Sequence, residues 1–291
     1  MARNRIIRVG AINLRAHPHP SGVYRSLLDD AFELRKPVRV QGDRHMLMRS
    51  IDGRDDEVIT GTFARFTELD PHLPWFDLEK LDEAGEELVK KISIPANVRP
   101  NYKLFHYGYF LKTHVLVFQH YGTSGGISPK IVHSFFMNLL EDESITQKYK
   151  EIEIDVISDA DKLSDILGLH HLKSLSIRVN RPNPGGVGGL DARVDARLNG
   201  MGAKSLEESY DAAPERDLVP DEEAREMANL AMANGSVRTE GLDIAGKKIK
   251  MSSDEHPVIE TQSYDPDDLT ERQAFNRAAR TLIQRLANYL I

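Results

Sequence analysis

The chain contains no cysteine. That excludes disulfides, thiolate nucleophiles and cysteine-ligated zinc, and it fits a reducing, cytoplasmic setting. No apolar run approaches the roughly 18 residues that a spanning helix needs, which argues against membrane insertion. The basic start, Met1-Ala-Arg-Asn-Arg5, runs into strand-like alternation and not into the apolar region of a signal peptide. Three motif classes are also missing. There is no Gly-x4-Gly-Lys-Ser/Thr, no Gly-x-Gly-x-x-Gly between a strand and a helix, and no His-Glu-x-x-His. No catalytic residue, metal site or cofactor is therefore expected. Positive charge is in deficit overall, with a net charge of −7, which argues against indiscriminate coating of nucleic acid.

What is present is a segregation of charge along 291 residues, a length that suits one large domain or two ordinary ones. Between Met1 and Ser50 stand Arg3, Arg5, Arg8, Arg15, Arg25, Arg35, Lys36, Arg39, Arg44 and Arg49, against Asp29, Asp30, Glu33 and Asp43. From Ser205 to Glu271 the balance reverses, with eighteen acidic residues against six basic ones. A basic front on an acidic protein implies one polyanion-facing surface.

The pattern predicts an α+β fold: a mixed, largely antiparallel sheet with flanking helices, then a smaller helix-plus-hairpin module closed by a long C-terminal helix. Ile6, Val9, Ile12 and Leu14 mark a strand, and a helix follows with Ser21 as its cap. Strands are expected at Val38–Gln41, Met46–Ile51 and Val58–Leu69, with Asp52-Gly53 as a tight hairpin turn. A helix is expected near Glu79–Lys91, aromatic strands at Tyr102–Leu111 and Val115–Tyr121, and a helix opened by Ser128-Pro129. Glu151, Glu153 and Asp155 alternate with Ile152, Ile154 and Val156, which predicts a strand with a wet carboxylate face. The Pro/Gly run 182–190 reads as a linker between an N-terminal domain (1–181) and a C-terminal subdomain (191–291). Helices at Ala192–Tyr210 and Asp221–Ala233, three short strands and an amphipathic helix from Thr270 complete the chain.

The basic residues Arg5, Arg8, Arg15, Arg35, Lys36, Arg39, Arg44 and Arg49, with Arg178 and Arg181 at the end of a later strand, are candidates for nucleic-acid binding. Long, permanently charged donors suit phosphates. The competing expectation is a solvated face that pairs with the acidic C-terminal part. Thr123, Ser124, Gly125, Gly126, Ser128 and Lys130 form a weaker candidate, an anion-binding loop at a helix start. Glu151, Glu153 and Asp155, or His106, His114 and His120, are the only sets that suggest metal-dependent nuclease chemistry. Arg272, Arg277, Arg280 and Arg285 line the polar side of the last helix, facing phosphate, a partner chain or the acidic stretch.

Four segments carry a resemblance: the opening strand and helix, Arg35-Lys-Pro-Val-Arg-Val-Gln-Gly-Asp-Arg44, Leu163-Ser-Asp-Ile-Leu-Gly168 before the strand Leu172–Arg181, and the Pro-Asn-Pro exit. Nearly the whole chain resembles a bacterial family known only as a domain of unknown function. The order of elements is also similar to that of the RexA phage-exclusion and KwaB phage-defence proteins. That resemblance implies a homodimer that binds nucleic acid, DNA rather than RNA, with little sequence preference, as an antiviral defence component with a possible second defence protein as partner. It transfers no individual binding residue. The alternatives are a metal-dependent nuclease or a protein-interaction subunit of a defence complex.

Overall fold

A computed structural model describes residues 4–18, 20–70, 73–182 and 189–290, with backbone alone at 288–290. The chain opens with β1 (Arg5–His17) and α1 (Val23–Glu33), then β2 (Val38–Gln41), β3 (Arg44–Asp52) and β4 (Val58–Thr67). A loop-rich stretch follows with the two-residue strands β5 (Phe76–Asp77) and β6 (Asp82–Glu83) and one helical turn, α2 (Glu86–Val89). Next come β7 (Lys103–Phe110), β8 (Val115–Gly122), β9 (Gly125–Gly126), α3 (Pro129–Leu140), α4 (Glu143–Lys148) and β10 (Glu151–Val156). After α5 (Leu163–Leu167) and β11 (His171–Asn180) stand α6 (Leu190–Met201), β12 (Ser205–Asp211), α7 (Glu222–Asn234), β13 (Gly235–Leu242) and β14 (Lys248–Ser252). β15 (Ile259–Tyr264) and α8 (Glu271–Leu290) end the fold.

The architecture is α+β, as the sequence pattern predicts. A large antiparallel sheet runs in the order β10-β1-β8-β7-β4-β3-β2. β1 is long enough to take two neighbours on one edge: β15 along Arg5–Gly10 and β10 along Ile12–His17. One face of this sheet lies under α1 and α3. Ile12, Leu14, Phe63, Phe105, Tyr107, Tyr109 and Phe118 meet Leu27, Leu28, Val132, Phe135 and Phe136 there. Phe63 stands edge-on to Phe135 at 5.5 Å and to Phe136 at 5.9 Å, the T-shaped arrangement that aromatic quadrupoles favour. The opposite face is covered at one end by α8, whose Ala274, Phe275, Ala278, Ala279, Leu282 and Leu286 pack on Ile7, Val9, Ala11, Val115 and Val117. A second sheet, β12-β11-β13-β14, has its own core with α5, α6 and α7.

Several local expectations change. Ser21 does not cap α1; Gly22 holds that position with a φ of 80°, which a glycine adopts without strain. Asp52-Gly53 does not make a two-residue turn, because five residues separate β3 from β4. The helix expected at 79–91 shrinks to Glu86–Val89, since Asp82-Glu83 pairs with Phe76-Asp77. The helix expected over 192–210 stops at Met201, where Gly202 takes φ 63°, and Ser205–Asp211 pairs with β11 instead. The subdivision at 182–190 matches neither sheet. β11, on its N-terminal side, shares a core with α6 beyond it, while β15 and α8 return to the first sheet. Residues 183–188 of that linker, like Arg3 and His19, lie outside the described residues.

Candidate nucleic-acid interface

The strand register decides which basic residues are available. Arg15 lies opposite Glu153 and two residues from the Asn13–Asp155 pair, on the same face. Its neighbours on that face, Ile7, Val9 and Ala11, are all buried, and Arg15 is itself fully buried. Its guanidinium donates to Asp155 and to the side-chain oxygen of Asn234 at the end of α7. Asn180 Nδ2 donates to the other Asp155 oxygen at 2.7 Å, and Asn13 donates to Asn234 at 3.1 Å. Arg181 extends the same seam, bonding Asp195 at 2.7 Å and Glu151 at 3.2 Å. Lys204 Nζ lies 3.2 Å from Glu153. Burial pushes the Glu153 carboxyl above its usual value, against the pull of Lys204 and Arg15. The expected phosphate-binding roles of Arg15 and Arg181 are thus corrected: both are consumed in a polar seam that joins the two sheets.

The same seam corrects the wet face of β10. Its carboxylates face cations from β1, β11 and the stretch after α6, because the second sheet covers them. The histidines do not converge either. His106 lies 5.7 Å from Phe275, His114 stacks on Tyr24 at 4.3 Å, and His120 faces the carbonyl of Ile127. Among the described residues no group of three His, Asp or Glu is placed to hold a metal ion.

Other candidates are scattered. Lys36 pairs with Asp142 at 2.8 Å. Arg35, with φ 47°, is exposed over Phe32 and 3.9 Å from Glu33. Arg5 is exposed at the start of β1, opposite Tyr264. Arg178 projects from the second sheet, between Glu207 and Ser236 in register. Arg39 donates to the carbonyl of Gly42, and Arg49 stands on the α8 side of the large sheet.

Arg8 and Arg44, by contrast, reach one end of the α3-covered face, where two residues passed over in the sequence join them. β4 and β7 place Arg65 directly opposite Lys103, and β3 and β4 place Arg65 beside Met46 and Arg44 beside Thr67. Arg44 and Arg65 share the parity of the core residues Met46 and Phe63, so they point to the same face. Arg8, opposite Tyr121, lies 5.7 Å over that ring. The row β1-β8-β7-β4-β3 therefore carries Arg8, Tyr121, Lys103, Arg65 and Arg44 over about 19 Å, four strand spacings of roughly 4.8 Å.

Arg65 is the centre of this row. It is only 9 % exposed, lies 5.0 Å from the Phe105 ring, and donates to the carbonyl of Gly126 at 2.7 Å. Burial and, secondly, the charge of Arg44 hold its pKa below the usual guanidinium value. The ion pairs nearest along the chain, Arg99–Glu68 and Arg54–Asp52, leave it out. Among the described residues Arg8, Arg44, Arg65, Lys103 and Lys130 take part in no ion pair. A buried guanidinium that faces a second one in place of a carboxylate is unfavourable unless an anion completes it.

The Gly122–Gly126 loop does bind an anion, but the protein's own. Glu271, in the first turn of α8, accepts from Thr123 N at 2.8 Å, from the Thr123 hydroxyl and from Gln119 at 2.7 Å. Ser128 is occupied as the cap of α3, accepting from Ile131 N at 3.3 Å. Ser124 and Gly125 form the tip, with Gly125 at φ 87°, and Gly126 spends its carbonyl on Arg65. A Cβ at Gly125 would lie 3.4 Å from Lys103 Nζ, so that ammonium sits directly above the turn. Lys130 is exposed in the first turn of α3. The expected anion-binding loop is therefore a scaffold for the cationic row and not a separate phosphate cradle.

Arg65 and Lys103 were missed because each looks like an ordinary strand residue. Their pairing joins strands separated by the loop-rich stretch between β4 and β7. The one signal in the sequence is parity: Arg65 shares that of Ile59 and Phe63, so a charge is directed to a core face.

Among curated proteins none matches the chain in sequence. A family model does match, over residues 5–280, and it spans both sheets and the cationic row; the chain belongs to the family described as the domain of unknown function DUF4747.

Proposed function

We propose that this protein binds the sugar–phosphate backbone of DNA along the row Arg8, Lys103, Arg65 and Arg44, without reading base sequence. The observation that carries this reading is Arg65, a residue only 9 % exposed that feels the charge of a second arginine and, among the described residues, pairs with no carboxylate. A phosphate oxygen relieves that repulsion and accepts the guanidinium's remaining hydrogen bonds. The row's length of about 19 Å spans some five steps of a duplex strand, which rises about 3.4 Å per step. Tyr121, 47 % exposed beside Arg8, offers a ring face for an unpaired base. Contacts of this type fix position and carry no base information. The similarity in element order to RexA and KwaB supports DNA as the ligand and a role in antiviral defence. A homodimer would double the row.

The test is fluorescence anisotropy with duplex and single-stranded DNA across a salt series. With four phosphate contacts, log K should fall with log salt at a slope of about −3 to −4. Arg44→Glu with Lys103→Glu alters two exposed side chains. It should weaken binding at least tenfold and flatten the slope by about two. Arg178→Glu should change neither. Absence of binding to both DNA forms near about 50 mM salt rejects the reading.

A further inference from the structure

The opposite face of the large sheet carries a second polar site. α8 covers β1, β15 and β8 but leaves β4 and β3 bare, so a groove runs between the helix and those strands. It has two adjoining lobes of about 430 and 360 Å³, which share Asp52, Thr60, Arg272, Phe275 and Asn276. Their joint size is that of a small-molecule site.

The charge in this groove is not balanced. Arg54 is engaged by Asp52, with Nε at 2.9 Å from the carboxylate. Arg49, Arg272 and Arg280 take part in no ion pair among the described residues, although Arg285, on the same helix, bonds Asp159 and Asp161. Asp52 and Asp55 thus stand against four guanidinium groups, a net charge of two positive units. The charge of Arg272 reaches both Asp52 and His106, and at His106 it is opposed by Glu271, which Gln119 and Thr123 already hold. Burial, more than any neighbouring charge, keeps the half-buried His106 ring below its usual pKa, so it lies neutral on the groove floor.

The rest of the lining is of another kind. Phe110, Phe275, Val58 and Ala279 make an apolar wall in the larger lobe, and Asn276 presents an amide beside it. The floor there is Gly108. A Cβ at this position would meet Val58 at 3.4 Å and Phe110 at 3.7 Å, ordinary contacts that the strand tolerates. The backbone therefore does not require glycine at this place, and a larger side chain would project into the open volume. An apolar slot with an amide at its side, continuous with a cluster of uncompensated arginines, is complementary to a flat heterocycle joined to a phosphate.

The geometry points to this groove as a binding site for a free 5′-nucleotide, with the phosphate at Arg272, which lines both lobes between Arg49 in the smaller and Arg280 in the larger, and the base against Phe110 and Phe275. This site is separate from the DNA row. It lies on the other face of the sheet and shares no residue with it.

The experiment is thermal denaturation of the full chain with nucleoside monophosphates, with the matching nucleosides as controls. At least one monophosphate should raise Tm by several degrees at millimolar concentration, and its nucleoside should not. Arg272→Ala with Arg280→Ala, both exposed residues, should abolish the shift. Gly108→Val should abolish it too, by filling the slot while the apo Tm stays within a few degrees. Arg44→Glu with Lys103→Glu should leave the nucleotide shift intact, and the Arg272/Arg280 variant should leave DNA affinity intact. The two readings therefore fail separately. The inference is overturned if no monophosphate shifts Tm, if nucleosides shift it equally, or if the shift survives the Arg272/Arg280 and Gly108 variants.

Discussion

Replacing Arg15 with methionine distinguishes two accounts of a basic residue in the opening strand. On a phosphate-gripping surface the change would cost within about 0.5 kcal/mol of stability, as surface substitutions do. In the seam it strands Asp155, whose side chain is 9 % exposed and would keep only Asn180 at 2.7 Å. Removing one member of a buried ion pair costs about 3–5 kcal/mol, mostly as the penalty of the orphaned charge. Asn234 also loses a donor, though Asn13 still reaches it at 3.1 Å. At this chain length about 2 °C of Tm goes with each kcal/mol, so a fall of roughly 6–10 °C is expected. Asp155→Leu added to Arg15→Met removes the orphaned carboxylate and should restore a substantial part of the loss. A cycle of the two single changes and the double change should then show a coupling of about 1–3 kcal/mol. Urea denaturation followed by circular dichroism measures each corner. A cost under 1 kcal/mol for Arg15→Met, or strict additivity in the double variant, would refute the seam as the junction of the two sheets.

Two further outcomes follow from the same geometry. The Glu153 carboxyl is raised above its reference value of 4.5 in the folded state, so the native protein holds the extra proton and stability declines as pH rises through the interval between the unfolded and folded values. Glu153→Gln should remove that decline and gain on the wild type above the interval, and parallel urea-midpoint profiles from about pH 4, just below the ordinary carboxylate value, to about pH 8 would contradict it. Gly61→Ala would set a Cβ 2.1 Å from the Ser50 carbonyl oxygen and 2.4 Å from the Tyr107 ring, so the β3–β4 pairing must shift. A loss of about 1–3 kcal/mol or more is expected in the same denaturation assay, and a neutral result would mean the strands separate freely there.

The sequence reveals elements better than it reveals which elements touch. Alternation at Ile7, Val9 and Ala11 and at Ile12, Leu14 and Ala16 marks both faces of β1 as apolar, and both are buried. Arg15 therefore stands inside a strand buried on two sides, where a free cation is untenable, although by sequence it reads as one more phosphate-binding arginine. The partners were not legible. Asn234 is 219 residues away, and only the return of α7 over the second sheet brings it to Arg15. The same limit hid Arg65 and Lys103, whose strands meet across a long insertion. The sequence also leaves open whether the arginines of the last helix face phosphate, a partner chain or acid. The fold separates them: Arg285 goes to Asp159 and Asp161, while Arg272 and Arg280 go to the groove.

The segregated charge can now be followed to its ends. If the basic opening segment served to neutralise the acidic stretch after Ser205, ion pairs would link the two. Its pairs go instead to the middle of the chain, Arg15 to Asp155 and Lys36 to Asp142. The acidic stretch pairs within itself, Glu240 with Lys250 and Asp254 with Arg238, and with Lys173 and Arg285 through Asp217 and Glu260, but not with the opening segment among the described residues. What remains after this internal pairing is a cationic row at one end of the first sheet and a surplus of carboxylates on the second. β12, an edge strand, carries Glu207, Glu208 and Asp211 in partly or fully exposed positions. Carboxylates there discourage strand addition by another chain and repel a phosphate backbone. The acidic module joins the first sheet at the Arg15 end of β1, whereas the row begins at the Arg8 end, so the two charges are held apart on the molecule. A net negative protein and a local cationic row then follow from one charge distribution.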